Sequence, residues 1–221
     1  MKRFLWVFLA MLLFWAALGN FIFNQYRLHD SFKETRQQLM LIAANAALGI
    51  DARELMEIPL QESGDNSLAY QAVSDKLDII KQTNPSLKYV YVMTTTDQLG
   101  ILQYMADADP APQIITAKCR RALPGVQYDG RAFPEMLKAY NGPAADQSIT
   151  SDEWGIFISG YAPIRDANGK SIAILGADID AAGISLLQKN VRVSILLAIA
   201  ASFMFLISLF GILIFRSPDR I

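Results

Sequence analysis

Residues 155–180 read GIFISGYAPIRDANGKSIAILGADID, and this stretch decides the fold. Two runs within it, 155–164 and 171–179, are rich in the β-branched and aromatic side chains that favour strands. The polar loop between them contains Asn168 and Gly169, a pair suited to a turn with positive φ. The sequence therefore predicts an antiparallel hairpin.

Upstream of the hairpin, helical periodicity gives way to strand periodicity. Apolar residues recur every three or four positions over residues 25–50, which predicts a long helix. A second helix is expected to be capped by Ser67 and closed at Asn84. Residues 88–95 and 100–106 then have strand composition, with a turn between them.

Residues 107–130 contain several prolines and predict an irregular connection. A short helix is expected to begin near Pro134, because proline suits the first turn of a helix. Two long helices followed by antiparallel strands predict an α+β fold, in which helices cover one face of a sheet.

The excess of apolar residues lies at the two ends of the chain. Overall 52% of the 221 residues are apolar. Residues 4–23 hold 18 apolar residues in 20 and residues 193–215 hold 19 in 23, with no charge in either run. Both runs have the length that a helix needs to cross a bilayer. We therefore expect two transmembrane helices, with lipid as one partner of the chain.

The flanking charges predict the topology. Lys and Arg in residues 1–3 and in residues 216–221 mark both flanks as cytoplasmic, which places residues 24–192 outside the cytoplasmic membrane. Small residues up to Gly19 also fit a cleaved signal sequence, so the first run is an anchor or a signal. The tail of residues 216–221 leaves no room for an output domain, so either a separate partner reads the signal or the chain is truncated.

The exported segment, residues 24–192, has the composition of a soluble domain and carries 16 Lys and Arg against 20 Asp and Glu. Nucleic-acid binding is not expected of an acidic domain. His29 is the single histidine and lies next to the first apolar run, and Cys119 is the single cysteine, so no catalytic triad, zinc site or Cys-x-x-Cys motif is available. We expect no enzyme activity, no catalytic residue, no metal and no cofactor.

The order of these segments resembles the Cache family of extracytoplasmic sensor domains, whose fold is PAS-like. The motifs that carry the resemblance are YVYVM (89–93), QYMADAD (103–109), FPEMLKAYNGPAAD (133–146) and EWGIFISGYAPIRDANGKSIAILGADID (153–180). The resemblance implies a receptor in a bacterial inner membrane that binds a small molecule outside and signals through its second transmembrane helix. Members of the family continue into a cytoplasmic output domain, whereas this sequence stops shortly after Arg216.

Alternation along the strands groups side chains that would face a ligand. Tyr91 shares a strand face with Tyr89, and Ser159 shares one with Tyr161. Polar-tipped aromatics on a buried face need hydrogen-bond partners, which a small polar ligand or the core would supply. The candidate ligand-binding residues are Tyr91, Asp107, Trp154, Ser159, Tyr161 and Asp178.

Asp178 interrupts an apolar strand, where a buried carboxylate needs a partner. In amino-acid-binding Cache domains an acidic residue near the end of the last strand receives the ligand amine, and Asp178 is similar in placement. The alternative is an exposed strand-end residue or, with Asp180, a helix cap. Arg165 lies beside the hairpin turn and is expected to face solvent; the alternative is that it binds the carboxylate of an organic-acid ligand bidentately.

A heptad pattern runs from the exported segment through the second apolar run and predicts a homodimer seam. Its residues are Ile184, Leu187, Val191, Ser194, Ala198, Ala201, Phe205, Ser208 and Ile212. We expect a membrane-anchored sensor for an amino acid, an amine or an organic acid. The alternatives are an interaction protein that docks another envelope protein, and the sensor half of a truncated histidine kinase or diguanylate cyclase receptor.

Overall fold

Helix α1 (Lys2–Leu48) is followed by Gly49, and α2 (Ala52–Met56) by a short 3-10 turn (Glu62–Asn66). Helix α3 (Leu68–Thr83) begins where predicted, because the Ser67 hydroxyl accepts a hydrogen bond from the Tyr70 amide at 3.1 Å. The computed structural model describes residues 2–108, 122–152, 154–181 and 193–207. The chain divides into two compact units, one of Met1–Phe32 with Gly183–Ile221 and the other Lys33–Ala182.

The second unit contains an antiparallel sheet of seven strands among the described residues. Their order is β3-β2-β1-β7-β6-β4, with β5 also paired to β6. The strands are β1 (Leu87–Thr95), β2 (Ile101–Asp107), β3 (Gln127–Asp129), β4 (Ala144–Ala145), β5 (Thr150–Asp152), β6 (Gly155–Arg165) and β7 (Ser171–Asp180). The last two form the predicted hairpin and β1 and β2 the other pair, so the α+β fold is confirmed.

The turn of the β6–β7 hairpin follows from its residues. The Asp166 carboxylate accepts hydrogen bonds from the Asn168 and Lys170 amides, each at 2.9 Å. Gly169 has φ +80°, a conformation that glycine adopts without the steric cost of a side chain. The loop composition thus fixes the register that places Ser159 opposite Asp178.

The two faces of the sheet carry different partners. Gly160 in β6 lets α1 approach closely, since a Cβ there would lie 2.6 Å from the Leu39 backbone. The opposite face, which we call the tyrosine face, carries Tyr91 and Met93 and packs against helix α4 (Pro134–Lys138) through Met136. We predicted helices on one face only; α4 covers the other because the tyrosine face also presents apolar side chains that need burial.

Three short strands differ from the prediction. β3 lies within residues 107–130, which we expected to be irregular, and β4 and β5 were not predicted at all. Strands of two or three residues are too short to show a period, and pairing with the longer strands β2 and β6 defines them. Residues 109–121 of the same segment, including Cys119, lie outside the described residues.

In the first unit, residues 193–207 are helical, and the ring of Phe205 stacks on Phe14 of α1 with centroids 6.3 Å apart. Within the described ranges no helix is both long and apolar enough to cross a membrane. The transmembrane helices stay a prediction, and the second extends to Phe215, beyond the described residues. Of the heptad seam, Ser194, Ala198, Ala201 and Phe205 are described and half-buried. Ile184, Leu187, Val191, Ser208 and Ile212 lie outside the description, so the homodimer also stays a prediction.

Candidate functional site

A cavity opens on the tyrosine face, where the ends of several strands converge. Its volume is about 390 Å³, counting the part open to solvent. The lining residues come from β1, β2, β3, β5, β7 and the adjoining loops. They are Tyr89, Tyr91, Tyr104, Asp107, Ala122, Tyr128, Asp152, Trp154 and Asp178. The wall therefore combines aromatic rings with three carboxyl groups.

Asp178 is a buried acid of the cavity wall. Its side chain is 7% exposed, and its Oδ1 accepts a hydrogen bond from the Tyr91 hydroxyl at 3.2 Å. Burial raises the pKa of Asp178 to about 8, and the negative charge of Asp146 adds to the rise, while hydrogen bonds from Ser159 and Tyr91 oppose it. Asp178 is therefore largely protonated at neutral pH unless a cation approaches it.

Aromatic rings form most of the remaining wall. Tyr91 and Tyr104 meet edge to face with centroids 5.7 Å apart, and Tyr89 meets Trp154 in the same way at 6.5 Å. Edge-to-face packing fixes the rings, and aromatic faces attract cations through their quadrupole. Burial raises the pKa of Tyr91 well above its usual value, with the charge of Asp178 as the next cause. Tyr91 thus stays a neutral hydrogen-bond donor.

Asp152 accepts hydrogen bonds from three neighbouring residues in the cavity wall. Its Oδ2 accepts the Tyr128 hydroxyl at 2.8 Å, and its Oδ1 accepts the amides of Trp154 at 2.8 Å and Gly155 at 3.2 Å. The Trp154 Nε1 is buried and has no hydrogen-bond partner among the described residues. The indole N–H of Trp154 is therefore a hydrogen-bond donor beside the cavity, and Asp152 fixes the backbone of Trp154.

Asp107 ends β2 on another side of the cavity and is 8% exposed. Its Oδ2 accepts the Ala122 amide at 3.0 Å, and its carbonyl accepts the Ser74 hydroxyl of α3 at 3.1 Å. These contacts fix the second buried carboxyl of the wall. Within the described residues no group of three or more His, Cys, Asp or Glu side chains is placed to hold a metal ion.

The structure brings four of the six sequence-predicted site residues together, namely Tyr91, Asp107, Trp154 and Asp178. Their role in binding stays a prediction. Ser159 and Tyr161 are buried on the same face but do not line the cavity, and both contact Asp146. Arg165, considered for an organic acid, lies away from the cavity and donates to the carbonyls of Gly169 and Asn141.

Sequence reasoning missed Tyr89, Tyr104, Tyr128 and Asp152 as cavity residues. Tyr89 could have been predicted as a cavity residue, because it shares a strand face with the predicted residue Tyr91. Tyr104 could have been predicted in the same way, because it shares a strand face with a core residue. Tyr128 and Asp152 belong to three-residue strands, whose position depends on pairing with β2 and β6. No local pattern of the sequence reports that pairing.

The chain is similar in structure to three solved sensor domains. The chain is similar to the ligand-binding domain of the Campylobacter jejuni chemoreceptor Tlp3 in complex with L-norvaline, with 15% identity over 81% of this chain and 62% of that chain and a TM-score of 0.50. It is also similar to the sensor domain of the V. cholerae histidine kinase DctB, with 13% identity, 80% and 59% coverage and a TM-score of 0.48. For the E. coli DcuS sensor domain the identity is 16%, the coverage 71% and 96%, and the TM-score 0.45.

The Cache-like, PAS-like fold expected from the sequence is thus confirmed at the level of the fold. The chain spans less than two thirds of the length of the Tlp3 domain. No protein-family model matches the chain. No curated protein matches it either.

Proposed function

We propose that residues 33–182 form an extracytoplasmic sensor domain that binds a small metabolite through its protonated amino group. The observation that carries the proposal is a buried carboxyl, Asp178, at the wall of an aromatic cavity that opens to solvent. An uncompensated buried charge is costly, so Asp178 is poised to accept a cationic group in place of its proton. Of the ligand classes expected from the sequence, amines and amino acids fit this wall.

The surrounding side chains suit the rest of such a ligand. The rings of Tyr89 and Trp154 line the cavity, where they would contact the methylene groups or the ammonium group of such a ligand. The indole Nε1 of Trp154 offers a donor to a ligand oxygen. The carboxyl groups of Asp107 and Asp152 keep the wall acidic, which favours cationic ligands over dicarboxylic acids.

The wider proposal is that the domain is anchored in a bacterial inner membrane and signals through its second apolar helix to a partner protein. Exposed apolar side chains on both helical stretches of the first unit support anchoring, among them Phe8, Leu13, Leu197 and Met204. The stacked rings of Phe14 and Phe205 bring the two helical stretches into direct contact, through which a displacement of one stretch would move the other.

A thermal-shift screen of the full chain in detergent tests the proposal. The panel pairs each primary amine and amino acid, L-norvaline included, with its N-acetyl derivative and adds dicarboxylic acids. We expect at least one amine to raise the unfolding temperature while its N-acetyl derivative does not, and the shift to be absent in Asp178→Asn. Asp180→Asn is the matched control, since Asp180 is exposed on the same strand. If no compound stabilises the chain and an envelope protein co-purifies with it, the docking alternative replaces the sensor.

A further inference from the structure

The chain contains two Asn-Gly pairs, and both lie in loops on the surface of the second unit. Asn141–Gly142 connects α4 to β4, and Asn168–Gly169 forms the turn of the β6–β7 hairpin. Both asparagines are exposed, and a Cβ added to either glycine would meet nothing within 4 Å. An asparagine before glycine is prone to lose its side-chain amide, because no Cβ hinders the approach of the glycine nitrogen. Exposure and crowding do not distinguish the two pairs, so their hydrogen bonds must.

Hydrogen bonds to Asp166 hold the pair in the hairpin turn. The Gly169 amide donates to the Asp166 carbonyl at 2.9 Å. The amides of Asn168 and Lys170 both donate to the Asp166 carboxylate at 2.9 Å. The Gly169 nitrogen would have to lose its proton and turn toward the Asn168 side chain before it could attack. These hydrogen bonds must break first, so the fold protects Asn168.

The pair after α4 has no such protection. The Asn141 backbone is fixed on both sides, since its amide donates to the Lys138 carbonyl at 2.9 Å and its carbonyl accepts Arg165 Nη2 at 3.2 Å. The Gly142 amide, in contrast, donates to none of the described residues. The Asn141 side chain also has no hydrogen-bond partner in the described part of the chain. The attacking nitrogen and the carbon that it attacks are therefore both unrestrained.

We propose that Asn141 is a site of spontaneous covalent modification, at which water converts the side-chain amide to a carboxylate. The Gly142 nitrogen loses its proton to the buffer and forms a bond to the Asn141 side-chain carbonyl carbon. The bond from that carbon to the amide nitrogen breaks, and the nitrogen takes up a proton and leaves as ammonia. Water then opens the succinimide ring at one of its two carbonyl groups. The net reaction consumes water and releases ammonia, with no oxidation or reduction.

The two products differ in where the new carboxylate lies. Ring opening at the side-chain carbonyl leaves aspartate at position 141. Ring opening at the backbone carbonyl leaves isoaspartate, in which the backbone runs through the side chain and is longer by a methylene group. In isoaspartate the free carboxylate is the former backbone carbonyl, which Arg165 already contacts. Either product adds a negative charge beside Arg165, at the point where α4 connects to the sheet.

Ageing of the full chain in detergent tests the proposal, with water as the reagent and peptide mass spectrometry as the readout. Folded protein and protein in denaturant are incubated in the same mildly alkaline buffer and then digested. Conversion of an amide to an acid changes the peptide mass, and chromatography separates aspartate from isoaspartate. We expect Asn141 to convert at least about tenfold faster than Asn168 in the folded chain, and the two rates to agree within about twofold in denaturant.

Three variants separate the effects of the two loops. Gly142→Ala places a methyl group beside the attacking nitrogen and should slow conversion of Asn141 about tenfold or more, with Asn168 unchanged. Asp166→Ala removes the carboxylate that accepts two amides of the turn, and should speed conversion of Asn168 about tenfold. Asp97→Ala is its control, because Asp97 is exposed in the turn between β1 and β2. It should convert as the wild type at both sites.

Equal conversion of Asn141 and Asn168 in the folded wild type would overturn the proposal, and so would faster conversion of Asn168. Failure of Asn141 to convert in the folded chain, when it converts in denaturant, would overturn it as well. A variant that unfolds is recognised because both pairs then convert at the rates measured in denaturant. The wild-type comparison needs no variant and decides the proposal in that case.

Discussion

The Tyr91 hydroxyl donates to the Asp178 carboxyl across 3.2 Å, from the strand next to it in the sheet. Gly176, two residues before Asp178, makes this contact possible, because the Tyr91 ring lies against the position that a Cβ on residue 176 would occupy. The hydrogen bond lowers the pKa of Asp178 against the larger effect of burial. The pair thus sets how readily the buried carboxyl ionises.

Removal of the Tyr91 hydroxyl should weaken amine binding. In Tyr91→Phe the ionised form of Asp178 loses a charge-assisted hydrogen bond worth about 1.5–3 kcal/mol, so affinity near neutral pH falls roughly tenfold to a hundredfold. Tyr140→Phe is the matched control, because the Tyr140 hydroxyl contacts the Met93 carbonyl and does not line the cavity. Titration calorimetry of both variants checks the difference; equal affinity in the two would contradict the role of Tyr91.

Gly176→Ala should displace Tyr91. The added methyl group meets the Tyr91 ring inside a packed sheet, and overpacking of this kind costs about 1–3 kcal/mol of folding stability. Amine binding should weaken with it, since the ring carries the hydroxyl that binds Asp178. Gly142→Ala is the control, because a Cβ there meets nothing within 4 Å. Thermal unfolding and calorimetry should show both losses in the first variant and neither in the second.

The long strands and helices were predictable because each is long enough to show its period. The β6–β7 hairpin and the capped start of α3 at Ser67 follow from local residue chemistry, and the structure has both. Tyr91 and Asp178 were predicted as neighbours of a ligand for the same reason. Asp178 interrupts a run of apolar residues on its strand, and Tyr91 alternates with apolar residues on its strand. In both cases the apolar pattern of the sequence indicates that the strand is buried.

The remaining part of the site depends on contacts between distant segments. Tyr128 and Asp152 join the cavity through a hydrogen bond between two three-residue strands. Ser159 was predicted to contact a ligand, and that stays a prediction; it pairs with Asp178 in the sheet and its amide donates to Asp146, but it is not among the residues that line the cavity. Asp146 was not predicted at all, because only the pairing of β4 with β6 brings it to Ser159.

Stability should fall as the pH rises toward 8. Burial raises the folded-state pKa of Asp178 to about 8 and that of Asp146 to about 6, from the ordinary aspartate value of 3.8. The folded chain therefore binds more protons than the unfolded chain between about pH 4 and about pH 8, so unfolding becomes easier across that window and levels off above it. The unfolding temperature of the wild type, followed by circular dichroism, measures this slope.

Asp178→Asn should reduce the fall of the unfolding temperature with rising pH. An amide cannot ionise, so at pH about 8.5 the variant should unfold roughly 5 °C or more above the wild type, while near pH 4.5 the two should agree within about 2 °C. Asp180→Asn should follow the wild type, because Asp180 is exposed and pairs with Lys88 at the surface. A parallel decline in Asp178→Asn and the wild type would show that Asp178 is not the titrating group.

Calorimetric titration across pH, with the amine that gives the largest thermal shift, tests the central claim most directly. Asp178 must release its proton to bind an ammonium group, so the affinity of the wild type should rise by up to about tenfold per pH unit from pH 6 toward pH 8. Proton release should accompany binding, and the amine should lose affinity about a hundredfold or more in Asp178→Asn at pH about 8. A pH-independent affinity, or equal binding by Asp178→Asn or of the N-acetyl derivative, would contradict an amine site at Asp178.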